Sequence, residues 1–159
     1  MARVYKTVRL AYETRVWMDK LILTREQELK RQLKNGLTDK LETDMQEHYS
    51  DLLNGISFNV VLKVSSGSVL EQAFRYSKKQ NFSDEEWEKI QINMERTIIK
   101  EDFQDETSVT PRLYLDENIL EGLEEYRYHF KNDAPGKRLP RLSYIIKLVV
   151  FAFYHELEE

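Results

Sequence analysis

Residues 110–130, TPRLYLDENILEGLEEYRYHF, change from a strand pattern to a helix pattern within a few positions. Polar and apolar side chains alternate over 112–115, as they do in a half-buried strand. Asp116 follows as a candidate N-cap, because its carboxylate can accept a hydrogen bond from the first turn of a helix. Apolar side chains then recur at helical spacing, at Ile119, Leu123, Tyr126 and Phe130. The stretch predicts a short strand followed at once by an amphipathic helix.

A second helix is predicted after a turn. The segment 131–138 contains Asn132, Asp133, Pro135 and Gly136, all of which favour turns. The helix then extends from about 141 to 157. Its centre, YIIKLVVFAFY, is apolar on nearly every side, so more than one neighbouring element must bury it.

The N-terminal part of the chain repeats this order of patterns. A strand pattern over 4–11 precedes a helix that is predicted to begin near Tyr12. A further helix with a broad apolar face is predicted over 66–79, with Ser65 or Ser66 as its N-cap. Strand, helix and apolar helix therefore occur twice in one chain.

The segment between these two N-terminal helices has a helical pattern of its own. The first helix continues to a stop signal at 35–36, and another helix, capped by Thr38 or Asp39, is predicted to end at 54–55. Its predicted apolar face consists of Leu41, Met45, Tyr49 and Leu52. The two helices would form a helical hairpin. Residues 56–64 alternate and form either a strand or an apolar connection.

The order strand, helix, turn and buried helix resembles the ribbon-helix-helix family of DNA-binding proteins. In that family two copies pair, and their strands form an antiparallel ribbon that lies in the DNA major groove. The resemblance implies a mainly α fold with a short two-stranded antiparallel ribbon, in which one chain forms a tandem ribbon-helix-helix pseudo-dimer with an inserted helical hairpin. Under this interpretation the N-terminal strand pairs with 112–115, and the two second helices cross in a shared core.

Three regions follow from this interpretation. Residues 1–80 are the first unit, with the hairpin inserted at about 25–55, and residues 110–159 are the second unit. Residues 81–109 connect them through a helix and an acidic linker, EDFQDETS. Ser83 and Glu86 form a predicted capping box at the start of that helix.

In ribbon-helix-helix proteins alternate strand side chains point outward and touch the edges of DNA bases. The resemblance implies this role for six residues, three on each strand: Tyr5, Thr7, Arg9, Thr110, Arg112 and Tyr114. Arginine can grip guanine through two hydrogen bonds, and threonine can touch a thymine methyl group. Pro111 departs from the pattern because it removes one ladder hydrogen bond, which the edge of a short ribbon tolerates.

The family also anchors DNA phosphates at the start of the second helix, where free backbone N–H groups and the helix dipole favour an anion. The resemblance implies this role for three serines in the first unit: Ser65, Ser66 and Ser68. In the second unit the corresponding residues are Lys137, Arg138, Arg141 and Ser143. Each of these positions also suits ordinary helix capping, and their significance lies in flanking the ribbon on both sides.

Composition narrows the functional classes. The chain has 159 residues and no cysteine, which excludes thiolate metal sites and cysteine nucleophiles. Its three histidines are scattered, and neither a glycine-rich phosphate loop nor a serine elbow occurs. We therefore expect no cofactor, no metal and no enzymatic activity. No signal peptide or membrane span is predicted, which favours a cytoplasmic protein.

Charge is unevenly distributed along the chain. The formal net charge is −4, which is unfavourable for binding DNA phosphates. Residues 1–36, however, contain nine Lys/Arg against four Asp/Glu, whereas residues 81–109 contain three against nine. The N-terminal strand therefore lies in a basic part of the chain.

The resemblance implies sequence-specific binding of double-stranded DNA, as a transcriptional repressor or as a plasmid or phage accessory factor of the relaxosome or partition type. The inserted hairpin is a candidate surface for self-association or for a protein partner. The main alternative is a helical protein-protein interaction module, inhibitor-like or antitoxin-like, that does not bind DNA. A structural alternative places 56–64 in the ribbon instead of the N-terminal strand.

Overall fold

The structure is a computed structural model, and it describes residues 2–101, 103, 107–131 and 138–158. The described chain is mainly helical, with six helices and one two-stranded sheet. In chain order the elements are β1 (Arg3–Thr7), α1 (Tyr12–Lys34), α2 (Leu37–His48), α3 (Ser66–Gln80), α4 (Asp84–Glu101), β2 (Arg112–Asp116), α5 (Glu117–His129) and α6 (Leu142–Glu158). Among the described helices, none has the length and apolar character that crossing a membrane requires.

The chain divides into two compact units, and the division falls within α1. We call Met1–Ile22 together with Ser65–Glu159 the core unit, and Leu23–Val64 the hairpin unit. The core unit contains both strands and helices α3 to α6. The insertion predicted at about 25–55 lies inside the hairpin unit.

The two strands of the core unit form an antiparallel ribbon. Val4 lies opposite Leu115, and Thr7 lies opposite Arg112, so the predicted pairing of the N-terminal strand with 112–115 is confirmed. β1 ends earlier than the predicted 4–11, because Pro111 interrupts the ladder. Val8 N–H donates to the Pro111 carbonyl oxygen at 3.3 Å, but proline has no N–H to return.

Helix α6 is at the centre of the core unit. It packs against α3, α4 and α5, which confirms that more than one neighbour buries it. Its buried residues are Leu142, Ile145, Ile146, Leu148, Val149, Val150, Phe151 and Ala152. The inward side chains of β2, Leu113 and Leu115, are also buried. The ribbon is therefore fixed to a hydrophobic core on one face and open on the other.

Helix α3 holds both strands through its first two turns. A Cβ atom added at Gly67 would clash with the carbonyl oxygen of Tyr114, so glycine is required for α3 to approach β2 this closely. One turn later the buried Glu71 carboxylate accepts a hydrogen bond from Asp116 N–H at 2.7 Å. The same carboxylate lies 3.1 Å from the guanidinium of Arg3 in β1. One buried acid thus connects a helix with two strands that are distant in sequence.

The predicted helix starts of the core unit are confirmed. Ser65 is the N-cap of α3 and forms a capping box with Ser68. The Asp116 carboxylate accepts a hydrogen bond from Asn118 N–H at 2.8 Å. At the start of α4, Ser83 Oγ accepts from Glu86 N–H, and Glu86 Oε1 accepts from Ser83 N–H.

The hairpin unit differs from its prediction. Gly36, in the left-handed conformation, is the N-cap of α2 and no side chain caps this helix, so the predicted caps at Thr38 and Asp39 are wrong. The helix ends at His48, and the chain turns over 49–55 instead of remaining helical. Residues 56–64 are not a strand but a connection, which was one of the two predicted forms. The alternative that puts them in the ribbon is wrong, because β1 already occupies the edge of β2.

Candidate nucleic-acid interface

The outer face of the ribbon exposes all six residues predicted to contact bases. Tyr5 lies opposite Tyr114, and Thr7 lies opposite Arg112. Beyond the strand ends an isolated bridge pairs Leu10 with Val109, and this register places Arg9 opposite Thr110. The predicted residues therefore form three consecutive cross-strand rows on one surface.

Aromatic rings and guanidinium groups stack along this surface. The ring centroids of Tyr5 and Tyr114 are 4.6 Å apart. The guanidinium carbon of Arg112 lies 4.0 Å from the Tyr5 centroid, and that of Arg3 lies 4.8 Å from the Tyr114 centroid. Sequence reasoning missed Arg3, although it has the same alternation as Tyr5 and Thr7. The result is an ordered cation-π stack along the ribbon.

The three arginines of this surface, Arg3, Arg9 and Arg112, differ in whether their N–H groups already have a partner within the described chain. Arg3 is paired with Glu71, and its guanidinium also donates to the Tyr114 carbonyl oxygen at 3.3 Å. Arg9 Nε donates to Ser108 Oγ at 2.7 Å. For Arg112, no ion pair exists within the part of the chain that the structure describes. The exposed Arg112 guanidinium lies over Tyr5, and its N–H groups are available for bidentate hydrogen bonding.

The start of α3 is close to β2. Ser65 and Ser68, both predicted phosphate contacts, use their hydroxyl groups in the capping box. Ser65 Oγ accepts a hydrogen bond from Ser68 N–H at 3.2 Å, and Ser68 Oγ accepts one from Ser65 N–H at 2.8 Å. Ser66 instead lines a cavity of about 320 Å³ together with Thr110 and Pro111. Of the three serines, Ser66 is therefore the one that lines a cavity beside the ribbon.

The start of α6 forms a second open site. Arg141 and Ser143 line a cavity of about 270 Å³ with Ala11, which directly follows the ribbon. Arg138 is exposed, and Lys137 lies outside the described residues. Lys147 also lines this cavity and was not predicted; its Nζ lies 3.3 Å from Glu13 Oε1, which balances its charge.

Tyr144 completes the lining of the α6 cavity. Burial raises the pKa of its phenol, and the negative charge of Glu95 raises the pKa further, against a hydrogen bond with Gln91 that lowers it. The hydroxyl is hydrogen-bonded to Gln91 and lies near the carboxylate of Glu95. An arginine directly before the first residue of a helix suits an anion such as a phosphate oxygen.

The described residues contain no cluster of three or more histidine, aspartate or glutamate side chains that is arranged to hold a metal ion. His129 Nε2 lies 3.0 Å from Asp84 Oδ1, which is a surface contact between α5 and α4. The most developed arrangement of polar side chains in the described chain is therefore the outer face of the ribbon.

In comparisons with known proteins, no family model, no curated protein and no solved structure matches this chain. The resemblance to ribbon-helix-helix proteins accordingly remains an expectation from the order of strands and helices. Any assignment of function rests on the geometry of the ribbon face and the two helix starts beside it.

Proposed function

We propose that this protein binds double-stranded DNA by placing its ribbon in the major groove, as a tandem ribbon-helix-helix pseudo-dimer within one chain. The observation that carries the proposal is the outer ribbon face, on which Tyr5, Thr7, Arg112 and Tyr114 are exposed. Leu113 and Leu115, on the opposite face of β2, are buried in the core, so the outer face is the one available to a ligand. A two-stranded ribbon has dimensions that fit the major groove.

Arg112 is the residue that we expect to read a base. Its guanidinium lies over the Tyr5 ring, and an arginine can recognise guanine O6 and N7 through two hydrogen bonds. Thr7, directly opposite, adds a hydroxyl and a methyl group to the same row. Because one chain supplies two strands of different sequence, the DNA site should be asymmetric.

Two helix starts support the proposal, because they provide phosphate contacts on either side of the ribbon. The backbone of α3 at Gly67 touches the β2 backbone at Tyr114, and Ser66 precedes it. At the other site, Arg141 and Ser143 lie beside Ala11 at the end of the first ribbon segment. Contacts of this kind fix the orientation of a ribbon in the groove without selecting a sequence.

The acidic net charge does not oppose the proposal at the ribbon itself. Arg3, Lys6, Arg9 and Arg112 all belong to the two ribbon segments, whereas the carboxylate of Asp116 is buried as an N-cap. The local charge of the ribbon is therefore positive. Regulation of transcription and processing of a plasmid or phage genome are both uses of such a protein, and no enzymatic step is part of the proposal.

Fluorescence anisotropy with a random-sequence pool of DNA duplexes, and with fragments from around the gene, tests this function. We expect selective binding that weakens steeply as salt rises, because phosphate contacts release counterions. Arg112→Ala should reduce the affinity for the selected sequence by about 1 to 3 kcal/mol and relax its preference at one base pair.

Arg96→Ala is the matched control, because Arg96 is also an exposed arginine of the core unit but lies on α4. It removes the same charge and should change the affinity little. Equal losses for Arg96→Ala and Arg112→Ala, or no salt-sensitive binding to any duplex, would refute the ribbon as a DNA reader. In the second case the alternative, a helical protein-protein interaction module, becomes the better hypothesis.

A further inference from the structure

The hairpin unit, Leu23–Val64, contains no buried residue. Several of its large apolar side chains are exposed, and Leu52, Ile56 and Val61 have 71%, 55% and 83% of their surface accessible. Burial of apolar surface is the main source of folding free energy, so a unit of this kind has little of its own. An exposed apolar surface on a folded segment is typical of a site that another molecule covers.

Residues 56–64 have the pattern of a strand without a partner strand. Phe58, Val60 and Leu62 are half-buried, and the residues between them are exposed. The Val60 N–H donates to Glu42 Oε1 at 3.1 Å, and within the described chain this is the one hydrogen bond that the backbone of 57–64 makes. In an extended chain successive N–H groups point to opposite edges, so those of Asn59 and Val61 point away from Glu42.

We propose that residues 56–64 pair antiparallel with the same segment of a second copy, so that the hairpin units form a dimer. The two-fold axis passes between the two Val60 residues, whose N–H groups remain with Glu42. Asn59 of each copy then pairs with Val61 of the other through backbone hydrogen bonds. The next rows set Phe58 opposite Leu62 and Ser57 opposite Lys63, so apolar meets apolar and no two like charges face each other.

The charges of the hairpin unit favour a second copy as the occupant. Residues 25–34 contain four Lys/Arg against two Asp/Glu, whereas residues 39–51 contain one Lys against five Asp/Glu. A two-fold contact presents the same surface from both sides, so it is stable when that surface is complementary to itself. The segment 56–64 meets this condition in the proposed register, and a unit that carries both signs of charge does not repel its own copy as a whole, whereas a partner of a single charge sign would be repelled by one of the two charged segments.

Sedimentation equilibrium of the full chain over a protein concentration series tests the dimer, and Val61→Pro tests its strand pairing. Proline removes the N–H that pairs with the second copy, and this N–H has no hydrogen bond within the described chain. We expect a monomer-dimer equilibrium for the wild type and a dissociation constant at least about tenfold higher for Val61→Pro, because two hydrogen bonds are lost per dimer. Val61→Thr keeps the N–H and the β-branch, and should dimerise nearly as well as the wild type.

Cross-linking tests the register independently, because the chain has no cysteine of its own. Val60→Cys places two thiols directly across the two-fold axis, in a non-hydrogen-bonded pair whose spacing suits a disulfide. Val61→Cys places them two rows apart. Mild oxidation should therefore link the first variant into covalent dimers much faster than the second.

A wild type that sediments as a monomer at every concentration would overturn the proposal and leave the surface to a different partner. A Val61→Pro dimer as tight as the wild type, or faster cross-linking at 61 than at 60, would overturn the pairing. DNA binding by the ribbon is a separate property, so its success or failure leaves these outcomes unchanged.

Discussion

The core unit and the hairpin unit both contain amphipathic helices, yet only the core unit buries them. Helix α6 has eight buried residues, whereas α2 has none. The difference is in the neighbours: α6 packs against three other helices of the core unit. An apolar stripe thus allows a helix to pack, but the stripe is buried only where a second apolar surface lies against it. Three experiments test this contrast. Both tryptophans, Trp17 and Trp87, lie in the core unit, so tryptophan fluorescence reports on the unfolding of that unit alone.

The largest expected effect comes from truncating a leucine in each unit. Leu148→Ala empties part of the buried face of α6 and should lower the free energy of unfolding by about 2 to 5 kcal/mol. Leu33→Ala, on the half-exposed face of α1 in the hairpin unit, should change it by less than about 0.5 kcal/mol. Urea unfolding followed by circular dichroism, which reports on the helices of both units, measures both at a concentration where the protein is monomeric. Similar losses for the two variants would show that the hairpin unit has a core of its own.

Glycine substitutions give a smaller contrast with two different causes. Gly67→Ala forces a methyl group against the Tyr114 carbonyl oxygen and should cost the core unit about 1 to 3 kcal/mol. Gly36→Ala has open space but a φ of +83°, so it should cost about 1 kcal/mol through backbone strain, in the hairpin unit alone. Tryptophan fluorescence should detect the first loss, whereas circular dichroism should detect both. A fluorescence midpoint that falls equally in the two variants would contradict independent units.

The smallest effect concerns alkaline pH. Burial raises the pKa of Tyr126 above its ordinary value near 10, against a hydrogen bond with Ser77 that lowers it. The stabilisation from the neutral phenol is complete below pH 10, and it is lost as pH rises through the folded-state pKa. Unfolding free energy should therefore fall less steeply above about pH 10 in Tyr126→Phe than in the wild type. Tyr49→Phe, in the hairpin unit, is the control and should keep the wild-type slope in tryptophan fluorescence.

Local signals made the core unit predictable. The alternation over 112–115, the N-cap at Asp116 and the all-round apolar centre of α6 each specify their element without knowledge of distant residues. The same alternation located the six outer ribbon residues. The strand at the N-terminus was predicted too long, because the effect of Pro111 on its pairing depends on a register that only the folded ribbon fixes.

The hairpin unit and the finer parts of the site were less predictable. The apolar stripe from Leu41 to Leu52 suggested a helix that extends to 54, but the chain turns at 49. No residue of this segment is buried, so packing against another element does not stabilise a longer helix. Gly36 lies just beyond the end of α1 and is also the N-cap of α2, so neither Thr38 nor Asp39 caps that helix. The ion pair between Arg3 and Glu71 joins residues that are remote in sequence, so no local pattern signals it.

The pairing of β1 with β2 has a consequence for biosynthesis. Thr7 meets Arg112, which follows it by 105 positions, so the first strand leaves the ribosome long before its partner exists. At about 5 to 20 residues per second this interval lasts on the order of 5 to 20 seconds. Throughout that time β1 is a short strand with unpaired backbone groups. The ribbon face is therefore assembled only when the last third of the chain is being made, and a nascent chain cannot use it earlier.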